Sequence, residues 1–182
     1  MIWILVNFSA DDDSRVLEEL TQPHYQFLYH LNRCLQVYSS ESCFDDLIVQ
    51  NLIWIFGNLI GEQKAEYFNA ILENTDILAF FHSLLSWQQP IPSNIMQIMP
   101  WTINNMTMMR PQSADIIDLL LRVLSLIGKQ VAMYIQSQTK REKIVKEILQ
   151  ALENILTIDL PAYLVTVIDS FDISGMCEMA VN

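Results

Sequence analysis

Glycine is scarce in this sequence, with four residues in 182, and proline supplies only six. Turn-rich β folds need both at their corners, and the long stretches between prolines are rich in Leu, Ile, Met and Gln. The shortage therefore points to helices. Basic residues are also few: ten Lys and Arg stand against 21 Asp and Glu, a net charge of −11. Phosphate binding needs clustered Lys and Arg, so nucleic acid is excluded as a partner and a basic partner is favoured. No apolar run reaches the ~20 residues needed to cross a bilayer, since IIDLLLRVLSLIG is interrupted by charge. MIWILVNF lacks the basic leader and cleavage site of a signal peptide. The three cysteines, Cys34, Cys43 and Cys177, are then expected to be reduced thiols of an intracellular protein.

Chemistry-bearing patterns are missing too. The cysteines and histidines (His24, His30, His82) lack the short spacings of a metal site. There is no glycine-rich phosphate loop and no nucleophile motif. The expectation is a non-enzyme without metal or cofactor.

What the chain does have is apolar surface, 52% of residues against 17% charged, arranged at helical spacing. Helices are expected over 14–38 with Pro23 as a boundary, from about 46 to Leu59 with Gly61 as C-cap, and over 63–73. Another should follow Asn74-Thr75-Asp76. After the break WQQPIPSN, a helix capped by Ser93 or Asn94 should pass Pro100 with a kink and end at Arg110-Pro111. Residues 114–127 should close near Gly128, followed by helices at about 129–138, 140–157 and from Asp159 to Phe171. The methionines around 96–109 suit adaptable core packing.

Three of the four tryptophans are followed four residues later by asparagine: Trp3/Asn7, Trp54/Asn58 and Trp101/Asn105. A fourth copy aligns at ILQALENILTID, with Gln150 in the tryptophan position and Asn154 in the asparagine position. Residues four apart share a helix face, so each pair forms one step of a surface ladder. Self-similarity at roughly 40–50 residues built of helices predicts an all-α solenoid of about four repeats.

At these residues the chain resembles the armadillo repeats of the importin-alpha family. VQNLIWIFGNLIGE is similar to that family's AVWALGNIAGD helix, and IMQIMPWTINNM to its RNATWTLSN helix. The resemblance covers residues 1 to about 170. It implies a single right-handed armadillo superhelix over 1–182, with the first repeat truncated and the last incomplete. It also implies a nuclear-import adaptor, working in cytoplasm and nucleus, that binds Lys/Arg-rich nuclear localisation signals. Trp3, Trp54 and Trp101 would then line the major signal site. Glu62, eight residues past Trp54, falls where the family carries an aspartate that pairs with the key lysine. The family's basic importin-beta-binding segment and one further repeat are not present, and Gln150 replaces a tryptophan.

The residues suit such a ligand. Asparagine can serve an extended backbone as donor and acceptor, and indole walls can hold a lysine stem with about 0.5–2 kcal/mol of cation–π attraction. Asp11, Asp12, Asp13 and Glu62 could meet its lysines, and Gln150 with Asn154 would extend the ladder by a fourth step. A generic armadillo/HEAT scaffold, with this face covered by a partner, is the alternative. The apolar first helix, uncapped by a polar repeat, also predicts self-association or instability.

Overall fold

The computed structural model describes residues 2–10, 18, 22, 26–62, 64–87 and 89–171. All regular structure among them is helical. The elements are α1 (Ile2–Ser9), α2 (Phe27–Tyr38), a 3-10 turn (Glu41–Cys43), α3 (Asp46–Gly61), α4 (Ala65–Asn74), α5 (Ile77–Leu85), α6 (Ser93–Met108), α7 (Ala114–Tyr134), α8 (Gln138–Leu156) and α9 (Leu160–Ser170). Expectations for Asp11, Asp12, Asp13, Pro23, His24 and Cys177 fall outside the described residues.

Local chemistry accounts for several boundaries. Asp45 accepts the Ile48 N–H at 3.0 Å and starts α3, while Asp159 accepts that of Ala162 at 3.2 Å and starts α9. We expect Asp45→Ala to cost about 0.5–2 kcal/mol in chemical denaturation, the usual worth of an N-cap. Asp76 begins α5 without capping it. Its carboxylate instead accepts from Asn32 (3.2 Å) and Gln36 (3.4 Å), and its N–H donates to Asn32 Oδ1 (2.8 Å), fastening α2 to α5. At the end of α6, Arg110 turns out at φ 51 and Pro111 blocks continuation.

Three sequence expectations are corrected. Gly61 is the last residue of α3, not its cap; Glu62 takes that place in a right-handed conformation. Neither Ser93 nor Asn94 caps α6: Pro92 precedes it, and Asn94 turns its amide to Gln50 Oε1 at 2.8 Å. Gly128 closes nothing, because α7 runs through it to Tyr134. A helical glycine costs about 1 kcal/mol. The buried stripe Ile117, Leu120, Leu121, Leu124, Ile127 and Val131 continues past it, and burial of such side chains at about 1.5–3 kcal/mol each outweighs that penalty.

Helices α1, α3, α6 and α8 pack in that order, each against the next, while α2, α5 and α7 follow one another behind them. The core lies between, around Phe56, Phe81, Leu52, Ile53, Ile71, Leu84 and Met99. Trp87, the tryptophan without a partner asparagine, meets Phe44 edge-on at 5.0 Å between ring centroids, so its role is packing. Among the described residues, every buried side-chain polar atom has a hydrogen-bond partner.

Candidate peptide-binding face

The four aligned pairs occupy the four helices that pack in succession: Trp3/Asn7 on α1, Trp54/Asn58 on α3, Trp101/Asn105 on α6 and Gln150/Asn154 on α8. Trp3 is 68% exposed and Trp54 41%. Trp101 is half-buried because its ring lies against the backbone of α3 at Gly57. A Cβ built on Gly57 would stand 2.1 Å from Trp101 Cζ3. That approach exists only because residue 57 has no side chain.

The asparagines share one register. Asn58 Nδ2 donates back to α1, to Ser9 Oγ at 3.1 Å and Val6 O at 3.4 Å. Asn105 Nδ2 donates to Gly57 O on α3 at 3.1 Å. Asn154 Nδ2 donates to Asn104 Oδ1 at 3.0 Å and Thr107 Oγ1 at 3.1 Å on α6. Val6, Gly57 and Asn104 each lie three residues after Trp3, Trp54 and Trp101; Ser9 and Thr107 lie six after. Each carboxamide thus pins its helix to the preceding one. Asn7 differs, donating to Trp3 O of its own helix at 3.1 Å. Both amide N–H groups of Asn58 are therefore engaged within the protein, and one of the two on Asn105. Among the described residues nothing donates to the Oδ1 atoms of Asn58 and Asn105, and neither atom is buried, so they remain as acceptors.

Between Trp54 and Trp101 lies an open groove of about 440 Å³, completed by Gln50, Asn94, Gln97 and Ile98. Its polar groups are neutral. Asn94 donates to Gln50, and Gln97 Nε2 donates to Ser93 O at 2.9 Å, which leaves carboxamide oxygens of Asn94 and Gln97 as further acceptors. Sequence reasoning overlooked these residues, although a sign was present. Gln50 and Gln97 each precede their tryptophan by four residues, so the pattern in α3 and α6 is Q-x-x-x-W-x-x-x-N, one face over two turns.

Of the acidic residues expected to meet a ligand's lysines, Glu62 lies among the described residues. Glu62 is exposed at the end of α3. Its near cation is Lys64, whose ammonium donates to the Tyr67 hydroxyl at 3.1 Å and lies 4.9 Å from that ring's centroid. The hydroxyl bond is the main cause holding the Lys64 pKa above the ordinary lysine value; Glu62 adds to it. Glu147 is taken up by Asn104 Nδ2 at 2.8 Å, and Glu153 by Gln150 Nε2 at 3.0 Å. Gln150 is exposed on α8.

Elsewhere, a cleft of about 410 Å³ between α5, α7 and α9 mixes Asp118 with His82, Arg122 and Lys129, so it offers no single sign of charge. Among the described residues no cluster of three His, Cys, Asp or Glu could hold a metal ion, and no helix is long and apolar enough to cross a membrane. Comparison with protein-family models, curated proteins and solved structures finds no match to this chain.

Proposed function

We propose that this chain is an armadillo-type α-solenoid that holds an extended Lys/Arg-rich segment, of the nuclear-localisation class, along its Trp/Asn face. The observation that carries the reading is one of register. Successive helices present an indole and, one turn on, a carboxamide whose nitrogen is anchored to the preceding helix and whose oxygen is open. Helices pack about 8–10 Å apart and an extended chain rises about 3.3 Å per residue. Each step of the ladder thus spans about three ligand residues and offers an acceptor to a backbone N–H.

A lysine or arginine stem fits the groove between Trp54 and Trp101, where its head meets the oxygens of Asn94 and Gln97. The net charge of −11 favours approach of such a ligand. In this reading the protein works in cytoplasm and nucleus as a signal-receptor-like adaptor. Recruitment of importin-beta would require the basic segment by which that family does so. The scaffold reading draws on the neutral lining of the groove and the burial of Trp101, features equally suited to a covering protein partner.

The test is fluorescence polarisation with a labelled lysine-rich peptide at two salt concentrations. Asparagine variants are poor probes, because Asn58 and Asn105 join helices. Trp54→Ala removes an exposed wall instead, and should weaken binding at least tenfold, the effect of losing one aromatic anchor. Tyr29→Ala, exposed on α2, should leave it unchanged. Absence of binding, or equal affinity for wild type and Trp54→Ala, rejects the reading.

A further inference from the structure

We propose that copies of this chain associate head to tail, the α1 face of one molecule docking on the α8–α9 end of the next. This inference does not rest on peptide binding. It begins with what each helix of the succession buries.

The residues one and five positions after the ladder tryptophan or its replacement are Ile55 and Leu59 on α3, Thr102 and Met106 on α6, and Ala151 and Ile155 on α8. Ile55, Leu59, Thr102, Met106, Ala151 and Ile155 are all 0% exposed. Their counterparts on α1 are Ile4, 51% exposed, and Phe8, 49% exposed, beside the open Trp3. The same helix positions that are sealed three times are open once.

The hydrogen bonds repeat this difference. Asn58, Asn105 and Asn154 each donate to the preceding helix, whereas Asn7 folds its amide back on Trp3 O. The face of α1 thus carries the donor and the apolar residues of the repeated contact, with their usual acceptor helix missing among the described residues.

The other end supplies the complement. The accepting position, three residues after the ladder residue, is Glu153 on α8. Its carboxylate is exposed and accepts a hydrogen bond from Gln150 through one oxygen, which leaves lone pairs for a second donor. The next helix, α9, packs on α8 and leaves Leu164, Val165 and Ile168 exposed. An apolar trio with an acceptor faces an apolar trio with a donor. Docking Asn7 on Glu153 would continue the α1–α3–α6–α8 succession into the next molecule in its own register. Such a contact uses two different surfaces, so it is heterologous and grows as an open chain unless its rotation closes a ring.

Sedimentation velocity without peptide, across a wide concentration range, tests the proposal. The wild type should rise past the dimer. Phe8→Asp spoils only the head and Glu153→Lys only the tail, so each alone should sediment as a monomer. Mixed at equal concentration, they should form a dimer that does not grow, since one sound head meets one sound tail. Both sites are exposed, and unchanged melting curves will verify folding; Ile4→Glu replaces Phe8→Asp should its melt shift. A wild type monomeric throughout, association that survives both variants, or a mixture that stays monomeric overturns the proposal.

Discussion

Replacing Gly57 with alanine should lower the stability of this protein by about 1–3 kcal/mol, the cost of overpacking a filled interface. The direction is opposite to the usual one, since Gly→Ala inside an exposed helix gains about 1 kcal/mol. The reason is the neighbour across the α3–α6 contact. The new methyl would stand 2.1 Å from Trp101 Cζ3 and 2.8 Å from both Cε3 and Thr102 Oγ1. Thr102 is fully buried and its hydroxyl is tied to Ile98 O at 3.1 Å, so it has no room to retreat. The indole must swing instead, and it can only leave the wall of the groove it shares with Trp54. Loss of stability should therefore come with altered tryptophan fluorescence and, in the peptide-binding reading, with weaker affinity.

Gly61→Ala is the matched control. One turn further along α3, its methyl would meet only Asn105 Nδ2 at 3.3 Å, and Gly61 is exposed. Only the end of the Asn105 side chain must give by a few tenths of an ångström, so Gly61→Ala should cost far less than Gly57→Ala. Urea denaturation of the two variants side by side decides the matter. If Gly57→Ala proves as stable as Gly61→Ala, the packing of Trp101 on Gly57 is wrong.

These two glycines also mark what was legible in the chain. Gly61 reads as a cap because a glycine near the end of an apolar stretch commonly is one; Gly57 carries no local signal. Its role depends on a side chain 44 positions away, and nothing local encodes that. The same divide runs through the ladder. Placing Trp54/Asn58 and Trp101/Asn105 on helices needed only local spacing, and an i, i+4 repeat is visible in any helix-forming stretch. Where Asn58 and Asn105 send their amides was not legible, because the acceptors Val6, Ser9 and Gly57 belong to another helix. Gly128 misled for the complementary reason. A local breaker was overruled by burial along the whole of α7, and burial is set by the helices packed against it.

The second large effect is expected at the α6–α8 contact, where the ladder becomes a polar network. Asn104 donates to Glu147 Oε2 at 2.8 Å and accepts from Asn154 at 3.0 Å, while Asn154 also reaches Thr107 Oγ1. Asn104 is buried and Glu147 half-buried. Asn104→Ala removes both bonds at once and strands a carboxylate in a poorly hydrated contact, which should cost about 2–3 kcal/mol. Glu147→Gln keeps an oxygen to accept from Asn104 and loses only the charge, so about 1 kcal/mol is expected. Asn104→Asp is the most informative variant. At neutral pH it sets two carboxylates against each other and should be at least as damaging as alanine. As pH falls through the carboxylate range, one of the two takes a proton and donates to the other. Its deficit relative to wild type should then shrink, whereas that of Asn104→Ala should not shrink in the same way. Chemical denaturation at neutral and mildly acidic pH separates these outcomes. A pH-independent deficit for Asn104→Asp would mean that Asn104 and Glu147 do not interact, and that the polar join of α8 to α6 rests on Asn154.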